Sequence, residues 1–142
     1  MLDLTIDTNL ARKILTDFIH TEITRAGFSR AVLGLSGGLD SALACYLAAE
    51  ALQPENVLAV RMPYATSSAD SLAHAQLVID ALGVQTLTIP ITDMVEPLFN
   101  RYLDMGNSRR GNVMPRQLTI ILFDQSEAFK NLVPGTTTKT EI

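Results

Sequence analysis

The chain has 142 residues, of which 47% are hydrophobic and 18% charged, a composition typical of a folded domain rather than a disordered one. Its net charge of −4 argues against a general nucleic-acid binder, and no apolar run approaches the ~20 residues that a membrane helix needs. The single cysteine, Cys45, excludes an internal disulfide, and the N-terminus lacks the basic-then-apolar layout of a signal peptide. We therefore expect one cytoplasmic domain with a core of its own.

Helical periodicity alternates with short apolar runs along the first part of the chain. The predicted helices are 10–26, 40–52 and 66–83, and the predicted strands are 30–35, 56–62 and 84–89. Polar residues suited to helix N-caps precede two of the helices, namely Asp7 or Thr8 for the first and Ser67 or Ser68 for the third. Gly83 is suited to end the third helix.

The second part of the chain predicts three further elements. A short helix is expected at 94–103, although Pro97 lies inside it. A longer helix is expected at 113–129, with Pro115 in its first turn, where proline is tolerated. A fourth strand is expected at 131–136. Because apolar strands alternate with helices, the sequence predicts an α/β fold with a parallel sheet and helices on both faces.

The sequence SGGLDS, residues 36–41, lies between the first strand and the second helix. A strand that turns tightly into a helix presents free backbone N–H groups at the positive end of the helix dipole, which suits phosphate. Gly37 and Gly38 permit a positive φ and a close ligand approach, and Asp40 is placed to bind Mg²⁺. The loop lacks the GK[ST] ending of a Walker A loop, and it lacks the GxGxxG spacing of a dinucleotide-binding loop. A plain strand–helix turn with Asp40 as N-cap explains the same residues, so the loop alone leaves both interpretations open.

Four stretches in order carry a resemblance to a known family. SGGLDS resembles the SGGxDS pyrophosphate loop of the N-type ATP pyrophosphatases, and VRMPYATSSADSLAHAQLVIDALG resembles the NAD synthetase segment after the second strand. RRGNVMPRQLTIILFDQS is similar to that family's GNxxxR helix start, and LVPGTTTKTE to its GTxNKxE turn, with Thr138 where asparagine is usual. The chain is thereby identified as similar to NAD synthetases over 30–141. The resemblance implies a Rossmann-like fold of the adenine nucleotide alpha hydrolase-like type.

The resemblance also implies a reaction. ATP and deamido-NAD (nicotinic acid adenine dinucleotide) would bind together with Mg²⁺, and the nicotinate carboxylate would attack the α-phosphate to give an adenylate and pyrophosphate. Ammonia would then displace AMP to form NAD. No protein nucleophile is implied, and no nucleic acid or membrane partner. A homodimer is implied. Glutamine as nitrogen donor would require a partner glutaminase, which the sequence leaves open but does not indicate.

Individual residues take their expected roles from the same resemblance. Asp40 and Glu141 match two acidic Mg²⁺ ligands. Arg116 matches an arginine that contacts deamido-NAD, with Asn112 supporting it. The positions that match ATP contacts are Gly34, Leu35, Ser36, Gly37, Gly38, Leu39, Asp40, Ser41, Arg61 and Thr136.

Residues 1–142 are expected to form a single ATP-pyrophosphatase-type domain that lacks the C-terminal segment of the family and is poorly active alone. Two other functions fit the sequence: a non-catalytic ATP-binding fragment, and another N-type ATP pyrophosphatase acting on a different substrate. The GNVMPR stretch argues against the last. Cys45 is expected to be a core residue, and His20 and His74 have no metal-ligand spacing.

Overall fold

Three short strands form in the described residues, β1 (Ala31–Gly34), β2 (Val57–Arg61) and β3 (Gln85–Thr88). The computed structural model describes residues 5–130 and arranges these strands as a parallel sheet in the order β1-β2-β3. The three predicted strands are confirmed, each slightly shorter than expected. The predicted fourth strand, at 131–136, lies outside the described residues.

Five helices accompany the sheet in the described part of the chain. They are α1 (Thr8–Arg25), α2 (Leu39–Leu52), α3 (Ala69–Leu82), α4 (Thr92–Arg101) and α5 (Asn107–Phe129). Asp7 caps α1, because its side chain accepts the N–H groups of Asn9 and Leu10. Ser68 caps α3 and Gly83 ends it in the left-handed conformation, both as predicted. No helix among residues 5–130 is long and apolar enough to cross a membrane.

The alternation of side chains along the strands divides the core into two layers. Leu33 and Ala59 belong to the layer under α1, α2 and α3, and Val32 and Val60 belong to the layer under α5. All four are fully buried. The prediction of helices on both faces of a parallel sheet is therefore confirmed. β3 departs from the expectation of apolar strands, because it lies at an edge of the described sheet and three of its four residues are exposed.

The two helices of the second part of the chain begin earlier than predicted. α5 begins at Asn107 and not at 113, so Pro115 lies inside the helix and not in its first turn. The earlier turn is held by Arg110, whose Nε donates to the Met105 carbonyl at 3.2 Å and whose guanidinium lies 4.7 Å from the Phe99 ring centre. α4 runs from Thr92 to Arg101, two residues earlier at each end than expected. These tertiary contacts outweigh the local signals of glycine and proline.

Candidate functional site

The residues of SGGLDS form the turn between β1 and α2. α2 begins at Leu39, and the extended residue before it, Gly38, occupies the N-cap position. Asp40 therefore lies in the first turn of α2, which corrects the alternative that made it the cap. Among the described residues no side chain caps the first N–H groups of α2. This arrangement leaves backbone donors at the positive end of the helix, where an anion is stabilised.

Two serine hydroxyls fix the shape of this loop. Ser36 donates its backbone N–H to Ser41 Oγ at 3.2 Å, and the two hydroxyl oxygens lie 3.0 Å apart. Gly38 donates its N–H to Ser36 Oγ at 3.2 Å, and Ser41 Oγ donates to the Gly38 carbonyl at 3.0 Å. The serines that the sequence offered as ligand donors thus also hold the loop backbone in place.

The two glycines of the loop have different structural requirements. Gly37 has a φ of +86°, and a Cβ added there would lie 2.0 Å from the carbonyl oxygen of Ser71 in α3. Gly38 has a φ of −79°, and a Cβ added there would meet Ser36 Oγ at 3.4 Å, an ordinary contact. Gly37 is required by the close packing of the loop on α3. The absence of a side chain at Gly38 instead leaves the backbone open to a ligand.

A cavity of about 140 Å³ lies beside the loop, at the carboxyl ends of β1 and β2 and next to the first turns of α3. It is lined by Leu35, Ser36, Arg61, Met62, Pro63, Ser67, Ser71, Leu72 and Ala75. Open parallel sheets bind ligands at this edge. The mixture of apolar walls and a few polar groups is typical of small-molecule sites. The structure therefore brings Leu35, Ser36 and Arg61, three residues singled out from the sequence, to one cavity.

The guanidinium of Arg61 is held by two neighbours that sequence reasoning missed. Arg61 Nε donates to Thr88 Oγ1 at 3.1 Å, and Nη1 donates to Gln76 Oε1 at 2.7 Å. The family resemblance gives neither residue a role, although Gln76 lies inside the matched stretch after the second strand. The contacts depend on the pairing of β2 with β3 and on the rotation of α3 about its axis.

The segment after β2 is fastened to α4 by Tyr64. Its hydroxyl donates to the Glu96 carboxylate, and its ring packs edge-on against Phe99 with the ring centres 6.4 Å apart. The hydrogen bond to Glu96, with a smaller contribution from burial, raises the pKa of Tyr64. Tyr64 also donates its backbone N–H to Ser67 Oγ at 2.9 Å. Because Pro63 and Ser67 line the cavity, this attachment shapes one of its walls.

Asp40 is the carboxylate within SGGLDS, and its side chain is exposed. Within residues 5–130 no group of three or more His, Cys, Asp and Glu side chains forms a metal site. Mg²⁺ that binds with a nucleotide usually takes one or two carboxylates, with phosphate oxygens and water as its other ligands. Asp40, beside the uncapped N–H groups of α2, fits that donor set. Glu141 and Thr136 lie outside the described residues.

Arg116 and Asn112 are brought together on α5. Arg116 Nη1 donates to the Asn112 carbonyl at 2.7 Å and lies 3.3 Å from Asn112 Oδ1. Both side chains are on the exposed part of the helix. In the described part of the chain no hydrogen bond or ion pair joins this pair to the glycine loop.

Comparisons with known proteins establish the family of this chain. The NAD synthase family model matches residues 11–142. The chain is 52% identical to the NH(3)-dependent NAD(+) synthetase of Trichlorobacter lovleyi, covering 100% of this chain and 52% of the relative. The chain thus spans about half the length of the curated relatives it matches.

Two solved structures show the same fold. The NH3-dependent NAD synthetase of Campylobacter jejuni, in complex with the nitrate ion, is 31% identical with a TM-score of 0.88, over 96% of this chain and 59% of that one. The glutamine-dependent NAD+ synthetase of Acinetobacter baumannii, in complex with ADP, is 33% identical with a TM-score of 0.82, over 89% of this chain and 25% of that one. The fold is therefore Rossmann-like, of the adenine nucleotide alpha hydrolase-like type. With its glycine loop, its parallel sheet and a match over residues 11–142, the chain belongs to the NAD synthase family.

Proposed function

We propose that the protein containing this chain is an ammonia-dependent NAD synthetase, which uses ATP to amidate deamido-NAD through an adenylate. The observation that carries the proposal is the glycine loop. Its uncapped helix start, its left-handed Gly37 and the neighbouring Asp40 lie beside a cavity that contains Arg61. The relative that is 52% identical is an NH(3)-dependent NAD(+) synthetase, which supports the choice of reaction and of nitrogen donor.

ATP is assigned to the loop and the cavity together. The first N–H groups of α2 would bind the pyrophosphate oxygens, and Arg61 would contact the nucleotide from the cavity wall. The similarity to a structure that contains ADP supports a nucleotide ligand. Asp40 would hold Mg²⁺, with Glu141 as the expected second acidic ligand and Thr136 as a further ATP contact. Bound Mg²⁺ would neutralise charge on the phosphate groups.

The chain's own residues act by position and charge in this reaction. A serine nucleophile needs a base beside it, but the described hydrogen bonds of Ser36 and Ser41 involve only each other and the loop backbone. Cys45 is fully buried, and burial raises the pKa of its thiol to about 11, so it is protonated at neutral pH. Direct attack by the substrate carboxylate on the α-phosphate fits this site. The N–H groups at the start of α2 would align the phosphates and stabilise their charge.

Deamido-NAD is assigned to α5. The Asn112 carbonyl and side chain hold the guanidinium of Arg116 near the helix surface, where it can meet a carboxylate or phosphate. The same helix exposes Ile120 and Phe123, which are 61% and 62% accessible and three residues apart, so they share one helix face. We assign this apolar face to the interface of a homodimer, since exposed apolar patches mark association sites.

The complete protein provides the test. With ATP, Mg²⁺, deamido-NAD and ammonium, we expect NAD, AMP and pyrophosphate in equal amounts. Arg116→Ala removes a charge-assisted contact worth about 1.5–3 kcal/mol, so the affinity for deamido-NAD should fall about tenfold or more while that for ATP is unchanged. Arg109→Ala, about two turns away on α5 and paired with Asp104 at 3.9 Å, is the matched control.

Two outcomes would replace this proposal with one of the alternatives. ATP binding without any NAD formation would indicate a non-catalytic nucleotide-binding protein. AMP and pyrophosphate release that depends on a substrate other than deamido-NAD would indicate another N-type ATP pyrophosphatase.

A further inference from the structure

Hydrogen bonds from two neighbouring elements converge on Arg61, which lines the cavity. Thr88 Oγ1 accepts from Arg61 Nε at 3.1 Å, and Gln76 Oε1 accepts from Arg61 Nη1 at 2.7 Å. Thr88 is the register partner of Arg61 across β2 and β3, so both side chains lie on the same face of the sheet. Gln76 comes from α3, which covers that face. Three separate elements therefore meet at one guanidinium.

Gln76 is itself oriented by a further contact. Its Nε2 donates to Asp80 Oδ1 at 2.8 Å, one turn along α3. A side-chain amide has a donor end and an acceptor end, so donation to Asp80 leaves the oxygen directed at Arg61. Asp80 thus selects the amide orientation in which Gln76 can accept from the guanidinium.

The consequence concerns the cost of binding. An arginine side chain has many rotamers. A ligand that must order a mobile arginine loses part of its binding free energy to the conformational entropy of that side chain. Here the guanidinium is already fixed by two of its five N–H groups, and the remaining donors are available to a ligand in the cavity that Arg61 lines. Thr88 and Gln76 are outside the lining of that cavity.

We propose that Gln76 and Thr88 are positioning residues, which preorganise the guanidinium of Arg61 for the bound nucleotide without touching it. The inference rests on the proposed function, because it takes ATP as the ligand of this cavity. It adds two residues on α3 and β3 whose effect on ATP binding passes through Arg61.

The test is a double-mutant cycle on ATP affinity in the complete protein. Calorimetric titration with ATP and Mg²⁺ is expected to show a loss of about threefold to tenfold for Gln76→Leu and for Thr88→Val, the range that one hydrogen bond provides. Arg61→Ala should lose more. In the Arg61→Ala background, Gln76→Leu should have no further effect. Thr88→Ser, which keeps the hydroxyl, should bind ATP as the unaltered protein does.

The steady-state constants and a matched control separate positioning from general damage. Both single variants should raise KM for ATP more than they change kcat, because the nucleotide contact is weakened and the chemistry is not. Gln85→Leu makes the same change at the other end of the sheet, where Gln85 Nε2 donates to the Glu55 carbonyl at 2.7 Å. It should leave ATP affinity unchanged. Thermal unfolding of every variant identifies any that is misfolded.

Three results would overturn the inference, and they are distinguishable. If Gln76→Leu and Thr88→Val bind ATP normally while Arg61→Ala binds weakly, the proposed nucleotide site stands and the positioning role is wrong. If Gln76→Leu weakens binding equally with and without Arg61, its effect does not pass through Arg61. If Arg61→Ala binds ATP normally, the assignment of Arg61 to the nucleotide fails and the inference fails with it.

Discussion

At the scale of single residues, Gly27 and Gly37 form a natural pair for comparison. Their φ angles are +85° and +86°, but no described atom lies within 4 Å of a Cβ added at Gly27, whereas one added at Gly37 meets Ser71 O at 2.0 Å. A left-handed conformation costs a non-glycine residue about 1–2 kcal/mol. Only Gly37 adds a backbone clash to that cost.

We expect Gly37→Ala to lose more stability than Gly27→Ala and, unlike it, to lose ATP affinity. The reason is that the loop or the first turn of α3 must move to admit the new Cβ. Thermal unfolding and ATP titration of the two variants provide the comparison. Equal losses of stability and unchanged ATP binding in both would contradict the account of the loop.

The buried thiol of Cys45 predicts a pH dependence of stability. Burial raises its pKa to about 11, whereas a thiol in the unfolded chain ionises near ~8.5. As pH rises, the unfolded state therefore loses the thiol proton first. The stability that the buried thiol contributes is complete below about pH 8.5 and is lost as pH rises toward about 11. Each pH unit in that window lowers the free energy of unfolding by about 1.4 kcal/mol.

Cys45→Ala should accordingly flatten the alkaline part of the stability profile. Denaturant unfolding at several pH values between 8 and 10 should show the unaltered protein losing stability faster than the variant. A constant difference between the two across this range would mean that the thiol does not titrate as its burial requires.

The site residues divide into those that the sequence could predict and those that it could not. Ser36 follows β1 and Arg61 is the last residue of β2. Because the carboxyl ends of adjacent parallel strands meet, the placement of both residues on one cavity follows from the pattern. Gln76 and Thr88 depend on strand register and helix rotation, which apolar periodicity does not fix. The roles expected for Thr136 and Glu141 stay predictions.

At the scale of elements, α5 shows how tertiary contacts change a helix boundary. Glycine followed by asparagine, with Pro115 close behind, indicates a helix start near 113, but the helix begins at Asn107. Gly111 costs a helix about 1 kcal/mol, and the contacts of Arg110 with Met105 and Phe99 offset such a cost. α3 was predicted well because its cap and its C-terminal glycine are local signals.

We expect Pro115→Ala to stabilise the protein. Pro115 lacks the N–H that would bond to the Gly111 carbonyl, and an interior proline costs a helix about 3 kcal/mol in an isolated case. Restoring that bond should raise the melting temperature. Pro54→Ala is the control, because Pro54 begins a 3₁₀ turn where no such bond is lost. A Pro115→Ala variant that is no more stable than the unaltered protein would contradict the expectation that the missing N–H of Pro115 destabilises α5.

At the scale of the whole molecule, the two-layer core followed from the sequence because buried parallel strands read as apolar runs. The register and the order of the strands did not follow from the sequence, since several parallel orders satisfy the same pattern.

The surfaces left exposed bear on assembly. Phe123 on α5 and Leu77 on α3 are 62% and 65% accessible, but only α5 was assigned to an interface.

We expect the complete protein to be a dimer in sedimentation at micromolar concentration, and Phe123→Glu to dissociate it. A buried charge without a partner is costly at an interface. Leu77→Glu places the same charge on an equally exposed apolar residue and should leave the dimer intact. A monomer for the unaltered protein, or dissociation by Leu77→Glu alone, would contradict the assignment to α5.

The most direct test of the central claim, that the loop between β1 and α2 binds ATP with Mg²⁺, is calorimetric titration of ATP with and without Mg²⁺. Asp40→Asn keeps the size of the side chain in the first turn of α2 but removes its charge. We expect Mg²⁺ to increase ATP affinity in the unaltered protein and this increase to be largely lost in Asp40→Asn. Asp93→Asn, the same change in the first turn of α4, should behave as the unaltered protein does. Equal ATP affinity for the Asp40→Asn variant and the unaltered protein, both with and without Mg²⁺, would contradict the claim.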